Sequence, residues 1–155
     1  MIDKNPAGQY PAIDKSAYVD KSARIIGNVK IGKNVFIGPL AVVRADEPGS
    51  SIEIGDDCNI QDHVVIHAFS LSKVVVGNNS SLSHGSIVHG PCIIGRGCFI
   101  GFGCVVTDAV LGDNIATGHL SLIEKKTIKG RKQSDALAMR VVKANKLLAA
   151  GYKKL

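Results

Sequence analysis

The stretch VGNNSSLSHGSIVHGPCIIGRGCFIGFGCVV, residues 76–106, decides the fold. Large apolar residues stand six apart in it: Val76, Leu82, Val88, Ile94, Ile100 and Val106. The same spacing runs upstream through Ile13, Val19, Ile25, Ile31, Ile37 and Val43, and again through Ile54, Ile60 and Ile66. A second column lies four residues after the first and is small or β-branched: Ala17, Ala23, Val29, Val35, Ala41, Cys58, Val64, Ser80, Ser86, Cys92, Cys98 and Cys104. Period six suits neither a helix nor plain strand alternation. It suits a short strand and a turn, repeated. Each hexad is too small to bury a core alone, so coils must stack, at about 4.8 Å per coil, into a parallel β-helix. Glycines and polar pairs such as Lys33-Asn34, Asp56-Asp57, Asn78-Asn79 and Asp113-Asn114 suit tight corners.

The expected architecture is therefore all-β, a parallel β-helix of hexapeptide repeats, followed by a C-terminal α-helix. One domain is expected over residues 1–155, with a lead over 1–12, the β-helix over 13–125, and a linker and helix over 126–155. The chain has 17 Gly, no Trp and few aromatics, as a narrow interior filled by Ile, Val and small residues requires. The formal net charge is +6, much of it near the C-terminus. Without aromatic interleaving or a binding motif, that charge does not argue for nucleic acid. It reads as a solvated helix face. Neither a signal peptide nor a transmembrane run is visible, so no membrane partner and a cytoplasmic location are expected. Cys58, Cys92, Cys98 and Cys104 occupy the small inward position and are expected as buried free thiols. A zinc cluster built from them is unexpected, because consecutive cysteines fall on different faces of a coil.

Two segments break the six-residue register: 44–53 (RADEPGSSIE), expected as a protruding loop, and 67–75 (HAFSLSKVV). The step from Thr107 to Leu111 is one residue short. Ser134 or Asp135 is expected to cap the helix, with Leu137, Val141 and Leu148 as its apolar stripe and Gly151 at its end.

Three histidines fall inside the repeat. If three hexads make one coil and each interruption counts as one hexad, Val43, Ile66 and Val88 stack. Arg44, His67 and His89 then form one outward column. By the same count Ile60 lies below Leu82, so Asp62 and His84 stack on a neighbouring face. Two imidazoles one coil apart can share a metal ion, and three protein ligands with an open position is the catalytic zinc pattern. His84 faces another side of the prism. A three-fold ring of chains would bring His84 of one subunit to His67 and His89 of the next, through a heterologous, closed interface.

The segments Arg44-Ala45-Asp46-Glu47 and Asn59-Ile60-Gln61-Asp62, then His67, His84 and His89-Gly90, resemble the signature of the γ-class carbonic anhydrases. The terminal helix is similar too, at Val141-Val142-Lys143-Ala144-Asn145 and Ala150-Gly151-Tyr152-Lys153. The resemblance implies a left-handed β-helix, an exception to the usual crossover hand. It implies a homotrimer with one zinc per subunit, iron(II) or cobalt(II) being alternatives, and CO2 and bicarbonate as substrates. His67, His84 and His89 are implied metal ligands, and Gln61 a partner of the metal's solvent ligand. Arg44 and Asp62 are implied to pair across the subunit boundary, with Arg44 also near bicarbonate. Glu47, Asn59 and Asn145 are implied to line the site and to orient substrate or pass protons. CO2 is a poor electrophile, and a bound cation supplies hydroxide by lowering the pKa of water to about 7. Read from the residues alone, Asn59, Gln61 and Asp62 also fit ordinary corner polarity.

The run His67-Ala68-Phe69-Ser70-Leu71-Ser72 lacks the acidic loop with which the family's prototype exports protons. His63 replaces a glycine usual after the Gln-Asp pair; it fits a proton shuttle or a solvated corner. His119 has no assigned role. Two further readings fit the repeat. One is an acyltransferase or thioesterase acting on a coenzyme A thioester. The other is a non-catalytic trimer stapled by its metal.

Overall fold

The computed structural model describes residues 1–129 and 135–154; the side chains of 135–139, 141, 142 and 145 are not among those described. The chain winds into a three-sided coil of short parallel strands. The first face holds β1 (Ile2–Asp3), β4 (Arg24–Gly27), β7 (Val42–Ala45), β10 (Val65–His67), the first half of β13 (Ile87–Ile94), the first half of β15 (Val105–Leu111) and β16 (Leu122–Glu124). The second holds β2 (Ala12–Ile13), β5 (Val29–Ile31), β8 (Ser51–Ile54), β11 (Lys73–Val76), the second halves of β13 and β15, and β17 (Thr127–Ile128). The third is a five-stranded sheet of β3 (Tyr18–Val19), β6 (Phe36–Ile37), β9 (Asn59–Ile60), β12 (Ser81–Leu82) and β14 (Phe99–Ile100).

Strand alternation sends one residue of each pair inward. The large apolar column therefore fills the prism edge to edge: Ile25, Val43, Ile66, Val88 and Val106 behind the first face, and Ile37, Ile60, Leu82 and Ile100 behind the third, are wholly buried. The small column closes the corners, with Ala23, Ala41, Cys58, Ser80, Ser86, Cys98 and Cys104 also buried. Removing each large side chain from water contributes about 1.5–3 kcal/mol. All four cysteines are free and buried.

The corners turn through a residue in the left-handed region. Asn34, Asp57, Asn79 and Asn114 serve at one corner, at φ 54–60°. Leu40, His63, Gly85, Gly103 and Leu120 serve at the next, at φ 55–67°. Before the corner the coils come so close that side chains are excluded. A Cβ on Gly95 would stand 2.6 Å from the Gly112 carbonyl carbon of the next coil.

Strand pairing reaches beyond the span expected from the hexads. Ile2 pairs with Ile25 and Leu111 with Ile128, because an end coil needs only ladder partners, not a full apolar repeat. The corner inside β15 has one residue fewer than that inside β13, which is the short step after Thr107. The helix, α1 (Asp135–Tyr152), includes Gly151 and ends one residue past it. Ser134, Leu137 and Val141, the expected cap and stripe residues, lie outside the described residues or side chains. Leu148, expected on the apolar stripe, is exposed. Among the described side chains, an aromatic stack seats α1. Tyr152 stacks on Tyr18, which stacks on Phe36, with ring centroids 5.3 Å apart in both pairs. Lys146 Nζ pairs with Asp57 at 2.7 Å, and Lys153 Nζ donates to the Ser16 carbonyl at 2.7 Å. α1 thus covers the third face, touching β6 and β9.

Candidate metal centre

The register puts Arg44, His67 and His89 side by side, as counted from the sequence. His67 pairs with Arg44 on one side and His89 on the other. Ile66 and Val88 face inward, so the next residue of each strand must face out. The His67 and His89 rings meet edge to face, with centroids 5.0 Å apart. His67 Nδ1 lies 3.2 Å from His89 Nε2. Two nitrogens bound to one tetrahedral zinc at about 2.0–2.1 Å stand roughly 3.3 Å apart. Within one chain that contact is a hydrogen bond between the two rings, and its length also fits two ligands of one cation.

The remaining ring nitrogens have partners that suit such a cation. His89 Nδ1–H donates to the Gly90 carbonyl at 3.1 Å, which leaves the Nε2 lone pair toward His67. His67 Nε2 lies 3.3 Å from Glu47 Oε1 and 3.7 Å from Asp46 Oδ1. It also lies 3.3 Å from Arg44 Nη2. Arginine only donates and carboxylates only accept, so the Nε2 nitrogen meets opposite demands. With Nδ1 given to a cation, Nε2 carries the proton and the carboxylates receive it. That is the usual outer support of a ligating histidine. Glu47 is held for this by Ser70, whose N–H donates to Glu47 Oε2 at 2.8 Å. Burial, then the positive charge of Arg44, pushes the His67 pKa down, which keeps the imidazole neutral and able to bind.

His84 lies elsewhere. It follows β12 at the corner between the third and first faces, one coil above Asp62, with Nδ1 3.4 Å from Asp62 Oδ2. Its side chain is half exposed. Gln61, half-buried, precedes Asp62 on the same edge. Asn59 is buried on the third face, where its Nδ2 donates to Ser81 Oγ at 3.1 Å, away from the His67–His89 pair. Asn145 lies on α1 and its side chain is outside those described. Arg44 Nε is 3.2 Å from Asp46 within the chain, so Arg44 and Asp62 do not pair inside one subunit. Among the described residues, one chain assembles no group of three His, Cys, Asp or Glu able to hold a metal. The candidate residues fall instead into two half-sets on opposite edges of the first face. His67, His89, Arg44 and Glu47 form one; His84, Asp62 and Gln61 form the other.

Between these edges the first face carries an outward apolar column of Val42, Val65, Ile87, Val105 and Leu122; Ile87 is 39% and Leu122 63% exposed. Phe69 stacks on His89 and Phe102 on His84, at 5.9 and 5.7 Å. Neither aromatic was singled out from the sequence. For Phe102 the signal was present, since it stands one coil after His84 at the same corner position.

Comparison with known proteins bears on the fold and family. The bacterial transferase hexapeptide family (six repeats) matches residues 73–108. A solved hexapeptide transferase family protein from Anaplasma phagocytophilum superposes over 98% of both chains, with a TM-score of 0.79 and 27% identity. The chain is thus a member of the hexapeptide-repeat superfamily of left-handed β-helices. Within it, the chain is a homologue of the γ-class carbonic anhydrases. The carbonic anhydrase of Methanosarcina thermophila is 40% identical over 129 residues, covering 71% of this chain and 52% of that one. The carboxysome assembly protein CcmM of a Nostoc species is 36% identical, covering 90% of this chain and 31% of that one. The carnitine operon protein CaiE of Escherichia coli is 35% identical, covering 81% and 63%. The chain spans about half the length of the carbonic anhydrase and a smaller share of CcmM.

Proposed function

We propose that the chain forms a homotrimer whose seams each hold one transition-metal cation, and that this centre hydrates CO2 to bicarbonate and a proton. The observation that carries the reading is the His67 Nδ1–His89 Nε2 separation of 3.2 Å, with each outer nitrogen already given a partner. The apolar column beside it supports burial against a second copy. His84 of the neighbouring chain is the third donor. The 40% identical carbonic anhydrase supports the choice of reaction. Zinc or iron(II) fits imidazole donors, with cobalt(II) as a substitute.

The cation, when bound, supplies a Lewis acid that makes water a nucleophile near neutral pH. This chain's residues do the rest. His67, His84 and His89 hold the charge without neutralising it. Gln61, carried on the same edge as His84, accepts from the attacking oxygen or donates to the product oxygen through its amide. Arg44 bears the positive charge that attracts bicarbonate and pairs with Asp62 across the seam. In the net reaction the water oxygen bonds to carbon and one water proton departs. Glu47, whose Oε1 meets His67 Nε2 and whose Oε2 accepts from the Ser70 N–H, is the proposed local relay for that proton. With no acid in the loop after His67, onward export depends on Glu47, on His63 at the corner, or on buffer. Asn59 lies on the third face and Asn145 on α1, which packs on that face; the part proposed for them is to orient substrate or pass protons.

A second reading, transfer or hydrolysis of an acyl thioester, is supported by the full-length likeness to a hexapeptide transferase family protein. A metal-stapled scaffold is supported by the likeness to a carboxysome assembly protein. The deciding experiment is stopped-flow CO2 hydration by tag-free protein, loaded anaerobically with zinc or with iron(II), alongside elemental analysis. The reading expects one metal per subunit and buffer-dependent hydration. A metal-loaded trimer inert with both metals would leave the transferase and scaffold readings.

A further inference from the structure

We propose that Phe102 and His119 are positioning residues that hold the His84 imidazole ready for a neighbouring subunit. The proposal rests on the intersubunit centre described above. His67 and His89 brace each other, with Arg44 and Glu47 both against His67 Nε2 and His89 Nδ1–H donating to the Gly90 carbonyl. Among the described residues His84 has no such network in its own chain. There, the one polar contact of its ring is Nδ1 to Asp62 Oδ2 at 3.4 Å, a long one, and half of its side chain is exposed. That contact leaves Nε2 directed outward but does not stop the ring from swinging about it.

The aromatic pile on the same edge stops it. The Phe102 ring lies 5.7 Å from His84 with their planes 17° apart. Phe102 is itself 46% exposed, so core packing does not hold it. His119 holds it. Its ring stacks on Phe102 at 4.5 Å and 15°, and His119 Nδ1 accepts the Phe102 backbone N–H at 3.0 Å. Asp62, His84, Phe102 and His119 thus rise along one edge, a coil apart. Stacked rings attract beyond the area they bury, and a donor already oriented loses less freedom when the metal binds. This gives a role to His119, which neither the metal-ligand count nor the proposed reaction uses.

The test is a zinc(II) titration of the full chain against a chromophoric chelator, with cobalt(II) visible spectra and sedimentation of the same samples. Phe102→Leu keeps an apolar side chain but no ring. His119→Ala keeps Phe102 but removes its support. Each should weaken zinc binding roughly three- to tenfold, the freedom of one side chain, and broaden the cobalt bands while the trimer persists. Phe102→Tyr, which can still stack, should bind as the wild type does. Unchanged zinc affinity in both Phe102→Leu and His119→Ala overturns the proposal. So does weakening that merely follows loss of the trimer. Uptake of one zinc per subunit that His84→Ala abolishes, with those two variants unaffected, overturns this inference alone. A wild-type protein that takes up no zinc overturns the intersubunit centre and this inference with it.

Discussion

At the scale of single residues, environment separates groups of the same type. His67 is half-buried beside Arg44 and held neutral, His84 is half exposed on another edge, and His63 sits at a corner with φ 59°. A left-handed backbone costs a non-glycine residue about 1–2 kcal/mol, part of which glycine returns through unfolded-state entropy. His63→Gly should therefore stabilise by about 0.5–1 kcal/mol, seen as a higher thermal midpoint; an unchanged or lower midpoint would contradict the strain. The cysteines are separated from reactivity in the same way. Burial pushes the Cys58 thiol up to about 12 and the Cys92 thiol up to about 11. A thiolate is the reactive form, so native protein should leave all four cysteines unmodified by a thiol reagent until denaturant is added. Rapid labelling of the native chain would refute that.

At the scale of elements, each strand is two to four residues long on a face, so turns carry an unusual share of the structure. The first coils show how turns are secured. Asp14 accepts from Ser16 Oγ at 2.6 Å and from its N–H at 2.9 Å; Asp20 accepts from Ser22 at 2.6 and 2.8 Å. These bonds, hydroxyl first, lower the pKa of both carboxyls below the ordinary 3.8. A depressed folded pKa adds stability above the unfolded value and loses it as pH falls through the folded one. The thermal midpoint should therefore drop with acid below about pH 4, and less steeply in the Asp14→Asn, Asp20→Asn double variant. Equal slopes would remove these turns from the acid response. The helix is the element least legible beforehand. Its pattern pointed to Leu137, Val141 and Leu148; of these only Leu148 has a described side chain, and it is exposed, while Tyr152 stacks on the flat rings of Tyr18 and Phe36 that the third face offers.

At the scale of the whole molecule, the two half-sets of the candidate centre lie on opposite edges of one apolar face. Exposed large apolar residues in a continuous column mark a surface meant to be covered. Ile87 stands in that column, directly before the strand residues that carry His89 outward. Ile87→Lys should convert the proposed trimer to monomer in sedimentation and abolish zinc uptake together, since one chain brings only two of its three histidine donors together. Loss of assembly with zinc retained would place the whole centre inside a single chain.

The repeat, the buried cysteines and the shared column of Arg44, His67 and His89 were legible from spacing alone, because a six-residue period fixes which side chains point inward and which coil lies above which. The same arithmetic separated His84 from the other two. Spacing did not reveal Leu40 and Leu120 at left-handed corners, since only glycine and asparagine announce that backbone. Nor did it reveal how Glu47 meets His67, because Glu47 stands in a segment that leaves the repeat and is held there by Ser70 of another. The coil count puts Phe102 one coil above His84, but not that their rings stack: ring planes and spacing depend on how neighbouring coils twist against each other, and only the folded prism sets that.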